Sequence, residues 1–323
     1  MKLTDSKSYN IQILRGLSII AVVFIHNTPV GLAQIWCRPF LNFSVGLFLF
    51  LSGMLSNVYR WNPQKRILKV AIPYIIWTLI YVVIGNIKTL SSIPVSYLND
   101  LLTGRSAAIM YYIFVYCEFT LLTPLIDKLA RSKYKYFGFA IAPIEIICMR
   151  LIPLIVGYEI NKYVSIVMGI SCLGWFAYYY LGYLLGNNMI ELNLSIFKIS
   201  FLFVSAIVLQ ILEGYWYLLM GETNCGTQLK LTSILAGVLF AILSFRFVNS
   251  GKNPNIKILY LLGNNSFGIY FSHLAVMSIL IHIPYYTKFV IYPFNAIIAI
   301  IVSLACVFIG KKLLGKYSKY LAL

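Results

Sequence analysis

The chain is short of acid and of histidine: Asp and Glu number 9 and His 3 among 323 residues, against 26 Lys and Arg. Its six cysteines are scattered, with no CxxC and no Cys/His ligand spacing, which argues against a metal site. A disulfide between Cys37 and Cys225 stays open, although free thiols are the expectation. There is no Gly-rich phosphate loop, no low-complexity tract and no strong internal repeat. Nor is any stretch long and polar enough to fold as a separate soluble domain. Whatever chemistry the chain performs therefore belongs to its apolar part.

That apolar part is nearly everything. Hydrophobic residues make up 60% of the chain and charged residues 11%, with a mean hydropathy of +0.84, far above a soluble composition. Apolar stretches recur at about 9–30, 40–59, 68–88, 107–127, 136–157, 173–189, 195–213, 230–248, 258–282 and 290–312. Each is close to the ~20 residues that cross a bilayer core at 1.5 Å per residue. Lipid leaves backbone groups no partner outside the segment, so the spanning element must be an α-helix. The expectation is an all-α, polytopic transmembrane bundle of about ten spans, forming one domain over 1–323. The first stretch is too long for a signal h-region and has no small-residue cleavage site, so it is expected to remain as a helix. Ser91 to Gly104, with Pro94, Asn99 and Asp100, reads as a polar outer loop.

A net charge of +17 raises the question of a nucleic-acid partner, but the charge follows topology instead. With both termini cytoplasmic, only Arg38, Lys88, Arg105, Arg150, Lys162, Lys230 and Lys288 fall outside. The rest, from Lys2 and Lys7 through the cluster Arg60, Lys65, Arg66 and Lys69 to Lys319, lie inside, as the positive-inside rule requires. Nucleic acid is therefore not expected as a partner; membrane lipid is.

Ionisable groups inside spans are costly and normally face the bundle interior. Here they are Arg15 and His26 on the first span, Glu118 on the fourth, Glu145 and Arg150 on the fifth, and His273 and His282 on the ninth. Arg15 and His26 stand 11 residues apart, three turns plus about 20°, so they share a face at a height difference of roughly 16 Å. One groove can meet both, with Arg15 holding a phosphate and His26 taking a proton from a hydroxyl. Each residue alone is equally compatible with a structural role, Arg15 snorkelling to headgroups and His26 bonding a neighbouring helix.

The surrounding residues bring a family into view. "LRGLSIIAVVFIH" from Leu14 resembles the first helix of the membrane acyltransferase 3 family, an Arg, ten residues, then the His taken as catalytic. "FSVGLFLFLSGML" from Phe43, "KRILKVAIPYIIW" from Lys65, "YYIFVYCEFTLLTPLI" from Tyr111, "WFAYYYLGYLLG" from Trp175 and "LGNNSFGIYFSHL" from Leu262 are similar to later family elements, in order. Two departures stand out. Lys69 replaces the second Arg of an Arg-x-x-Arg pair, keeping charge without the bidentate fork, and Gln12 stands where many members carry an acid.

The resemblance implies an O-acyltransferase of a bacterial cytoplasmic membrane. It would move an acyl group, most often acetyl, from acyl-CoA to a hydroxyl of a surface carbohydrate or glycolipid. It implies His26 as the catalytic base. Arg15, Arg66 and Lys69 are placed for the acyl-CoA phosphates at a basic inner mouth, and acetyl-CoA is then a co-substrate, with no bound cofactor expected. Glu118 joins the catalytic candidates as an orienting carboxylate. Tyr111, Tyr112 and Ser52 are candidates for the substrate path. The competing class is a transporter or flippase, which ten spans and intramembrane charge would also suit, but paired half-repeats are not evident.

Overall fold

The computed structural model describes residues 4–155, 158–252 and 254–323, and every regular element among them is a helix. The main helices are α1 (Asp5–Asn27), α2 (Leu32–Cys37), α3 (Phe43–Met54), α4 (Pro63–Gly85), α5 (Ile93–Thr103), α6 (Tyr111–Arg131) and α7 (Ile141–Ile155). They continue with α8 (Tyr158–Ile170), α9 (Phe176–Gly186), α10 (Ile196–Leu219), α11 (Leu231–Val248), α12 (Lys257–Asn264), α13 (Ser266–Leu280) and α14 (Phe294–Leu314). Lys2, assigned above to the inner side, and the side chain of Lys162, assigned to the outer side, lie outside the described residues.

Local sequence explains the main boundaries. Thr4 caps α1 by accepting from the Lys7 N–H at 3.4 Å, and α1 stops where Thr28 turns extended. At α4, Asn62 accepts from the Lys65 N–H at 3.0 Å and Pro63 takes the first turn, where its missing N–H costs nothing.

Among the described residues six spans are long and apolar enough to cross a membrane: Asp5–Asn27, Leu32–Met54, Pro63–Gly85, Ile196–Leu219, Leu231–Val248 and Phe294–Leu321. The other expected spans fall short for identifiable reasons. Helix α6 has 21 residues but carries Glu118, Asp127, Lys128 and Arg131. Helix α9, in the expected 173–189 span, has 11 residues and at ~1.5 Å per residue does not reach ~30 Å, while the expected 136–157 span runs into residues outside those described. The 258–282 stretch is not one helix. It breaks at Asn265, whose side chain donates to the Leu261 carbonyl at 2.8 Å and accepts from Lys311 Nζ at 2.6 Å.

One further expectation is corrected. The loop at Ser91 to Gly104 is largely helix α5, with Pro94 in its first turn and Gly104 closing it at φ +66°. Its Val95, Leu98 and Leu102 recur at helical spacing and stay exposed. Lys230 is wholly buried at the start of α11 and donates to the carbonyls of Gln210 at 3.2 Å and Cys225 at 3.0 Å. All six cysteines are free thiols.

Helix α1 runs through the middle of the assembly, touching α3, α11, α12, α13 and α14. Its tightest partner is α12, where Gly16 lies on the Leu259 carbonyl and Gly263 on the Gln12 carbonyl. Helices α3 and α9 approach equally closely, Gly53, Gly182 and Gly186 each leaving no room for a Cβ against the opposing backbone. Small residues let helices pack closely where lipid supplies no hydrophobic drive, which accounts for the Ser52-Gly53 pair. Gly182→Leu would drive a side chain into the Phe50 carbonyl, so it is expected to abolish monodisperse protein on size exclusion in detergent. Gly85→Leu, facing open space, is expected to leave the elution profile unchanged.

Candidate functional site

Two cavities flank α1. The larger, about 760 Å³, gathers Arg15 from α1, Ser52 from α3, Arg66 and Lys69 from α4, and Tyr112 and Tyr116 from α6. Arg66 and Lys69 are one helical turn apart and so share a face. Arg66 is held in place: Nη1 donates to Ser56 Oγ at 2.8 Å, Nη2 to Ser52 Oγ at 3.3 Å and Nε to the Tyr116 hydroxyl at 3.4 Å. Ser56 is itself fixed by the Tyr179 hydroxyl at 2.9 Å. The ion pairs among the described residues, Arg131 with Asp127 and Arg150 with Glu222, lie outside this cavity's lining. Four cations, Arg15, Arg60, Arg66 and Lys69, thus line the cavity with no carboxylate among its lining residues, an arrangement suited to an anion.

The smaller cavity, about 220 Å³, is lined by His26, Arg38, Tyr111, Trp175, Asn224 and Gln228, among others. Arg38 donates to Asn224 Oδ1 at 2.9 Å and to the Ile25 carbonyl at 3.3 Å, tying the end of α1 to the segment before α11. Gln228 donates to Ser44 Oγ at 2.9 Å and to the Asn42 carbonyl at 3.2 Å. Trp175 stacks with Tyr111, ring centroids 6.1 Å apart. The pocket therefore offers amides, a guanidinium, an imidazole and a flat aromatic face together. Tyr270 of α13 lines both cavities, and its hydroxyl donates to the Ile109 carbonyl.

A family model for an acyltransferase domain matches residues 8–311. The chain belongs to the acyltransferase 3 family. It is an acyltransferase, and its long apolar helices make it an integral membrane one. No curated protein and no solved structure matches the chain.

Within this acyltransferase the expected site residues divide. Arg15, Arg66, Lys69, Ser52 and Tyr112 meet in the basic chamber. His26 and Tyr111 meet in the histidine pocket. A single groove along α1 was expected, and two cavities joined at Tyr270 are found. Tyr111 and Tyr112 serve different cavities because consecutive helical residues point about 100° apart. Glu118 lines neither cavity. Its Oε2 accepts from the Cys172 N–H at 2.6 Å, securing the turn that presents Trp175.

Sequence reasoning overlooked Arg38, Trp175, Gln228 and Tyr270 as site residues. Tyr270, as the Tyr of the Ile-Tyr-x-x-His run, and Trp175, as the first residue of WFAYYYLGYLLG, carried a signal.

Proposed function

We propose that the chain transfers an acyl group, acetyl in the simplest case, from cytoplasmic acyl-CoA in the basic chamber to a hydroxyl in the histidine pocket. The acceptor is a cell-surface carbohydrate or glycolipid. One observation carries this reading. Uncompensated cations line one cavity, an imidazole lines the next, and both sit on helix α1 with Tyr270 between them.

The nucleotide phosphates of acyl-CoA pair with Arg15, Arg66 and Lys69, and the chamber volume falls within the roughly 300–1,000 Å³ of ligand pockets. The pantetheine arm extends along α1, whose Arg15-to-His26 rise is roughly 16 Å, and delivers the thioester past Tyr270. Trp175 and the amides of Asn224 and Gln228 suit a sugar, an apolar face with hydroxyls at its edge. His26 takes the hydroxyl proton as the oxygen attacks the thioester carbonyl carbon. Collapse of the tetrahedral oxyanion breaks the C–S bond, and the thiolate recovers the proton from His26, giving ester and free CoA thiol.

Expression in a host with a surface glycan of known structure tests this directly. New O-acetyl groups in the glycan's NMR spectrum, absent from the empty-vector strain, are expected; glycan moved across the membrane without acylation would favour a transporter. The partition makes its own prediction. Tyr270→Ala opens the chamber to the pocket and admits water, so CoA thiol release is expected to exceed acceptor labelling several-fold, whereas the unmodified protein keeps the two equal.

A further inference from the structure

Resting on the acyltransfer reading, we propose that His273 is the positioning residue for His26, standing where a carboxylate orients the base in many hydrolases. Its free Nε2 lone pair accepts the hydrogen of the His26 ring nitrogen that faces away from the substrate.

Three observations carry this. First, His273 is wholly buried on α13, and its Nδ1 lies 2.8 Å from the Tyr270 carbonyl and 3.1 Å from the Ile269 carbonyl. Carbonyls only accept, so Nδ1 carries the hydrogen and Nε2 is left as a bare acceptor. That Nε2 is buried with no partner, a state native proteins seldom leave without a use.

Second, the ring facing it is that of His26, with centroids 5.4 Å apart and planes 48° apart. Two imidazoles joined by an N–H···N bond of about 2.9 Å have centroids about 5.2 Å apart, since each ring nitrogen sits about 1.15 Å from its centroid. The observed separation is close to that value, so the two rings are near enough for such a bond once the His26 ring turns a nitrogen toward His273 Nε2.

Third, α13 is held from α4 around His273. The Tyr81 hydroxyl donates to the Phe271 carbonyl at 2.6 Å and accepts from the Ala275 N–H at 3.2 Å. The residues two before and two after His273 are thereby tied to α4, which fixes the ring's height against α1. The other polar side chains at the His26 pocket are Arg38, Ser44, Tyr111, Trp175, Asn224, Thr227, Gln228 and Tyr270, and no Asp or Glu side chain lines it. No carboxylate is there to orient the imidazole, and the buried, unpartnered Nε2 of His273 is the acceptor whose ring faces His26.

During transfer the substrate hydroxyl proton passes to the free nitrogen of His26. The other nitrogen keeps its hydrogen, donated to His273 Nε2, so the imidazolium is formed against an oriented lone pair. No proton moves onto His273, which is neutral before and after.

The chain has 3 histidines, which makes ¹⁵N-imidazole NMR of the whole protein in nanodiscs practical. The His273 signals are expected to show protonated Nδ1 and unprotonated Nε2, with the Nε2 resonance moving in His26→Gln. Membranes supplied with [¹⁴C]acetyl-CoA give the kinetic arm. His273→Ala is expected to lower the maximal rate about 10- to 100-fold, the range found when an outer partner of a functional His is removed. The acetyl-CoA KM should stay within about twofold, and His273→Gln, which keeps an acceptor and a donor, should recover part of the rate.

A protonated Nε2, or a His273→Ala rate equal to the unmodified one, would overturn the positioning role while acyl transfer stands. Unmodified membranes that transfer no label would overturn the acyltransfer reading and the positioning role together.

Discussion

His26→Ala is expected to lower acetyl transfer by about 10² to 10⁴, the usual worth of a positioned general base, while acetyl-CoA affinity stays within about twofold. The split follows from the two cavities. His26 lines the small pocket with Arg38, Trp175 and Gln228, whereas the groups suited to phosphate line the chamber some three turns back along α1. Removing the imidazole takes away a group that acts on the hydroxyl proton and leaves the nucleotide's partners untouched. Folding is not the confounder, since His26 is only partly buried at the last turn of α1. Single-turnover labelling with [¹⁴C]acetyl-CoA and calorimetric titration of acetyl-CoA read the two quantities separately. Equal transfer with and without His26 would remove it from the chemistry.

Arg15→Ala carries the second large effect, on binding. Hydrogen bonds to charged groups are worth about 1.5–3 kcal/mol, so losing one phosphate contact should weaken acetyl-CoA about 10- to 150-fold with little change in maximal rate. Arg15 is the cleanest of the three cations to remove, because Arg66 also braces Ser52, Ser56 and Tyr116 and its loss disturbs α3. Lys69 is exposed at the rim, so its substitution should cost less and lose its effect as salt is raised. Titrations of acetyl-CoA at low and high ionic strength check the order Arg15 above Lys69. Equal affinity in all variants would move the donor out of this chamber.

How far the site could be read in advance depends on which residues are neighbours along one helix. Arg15 and His26 were visible because 11 residues return to nearly the same face. The separation of Tyr111 from Tyr112 follows from the same arithmetic. Arg38, Trp175, Gln228 and Tyr270 reach the site from α2's end, the turn before α9, the segment before α11 and α13, and no spacing within one helix brings such residues together.

The meeting of His26 with His273 is of that kind too. Glu118 drew attention as a carboxylate at membrane depth, and its partner proved to be a backbone N–H, which sequence does not display. The span boundaries suffered from hydropathy windows that run across breaks: Asn265 interrupts an apolar stretch without lowering its average. In the Ser91 to Gly104 segment, the polar Asn99 and Asp100 hid the Val95, Leu98 and Leu102 periodicity of α5.

A route that begins at a cytoplasmic basic chamber and ends at His26 is tested most directly by sidedness. Inside-out and right-side-out membrane vesicles bearing the protein are each supplied with [¹⁴C]acetyl-CoA from outside, and labelled acceptor is counted. Label is expected in inside-out vesicles alone, absent there in His26→Ala, and in right-side-out vesicles only after permeabilisation. Transfer in intact right-side-out vesicles, or His26-independent transfer in inside-out ones, would contradict the route.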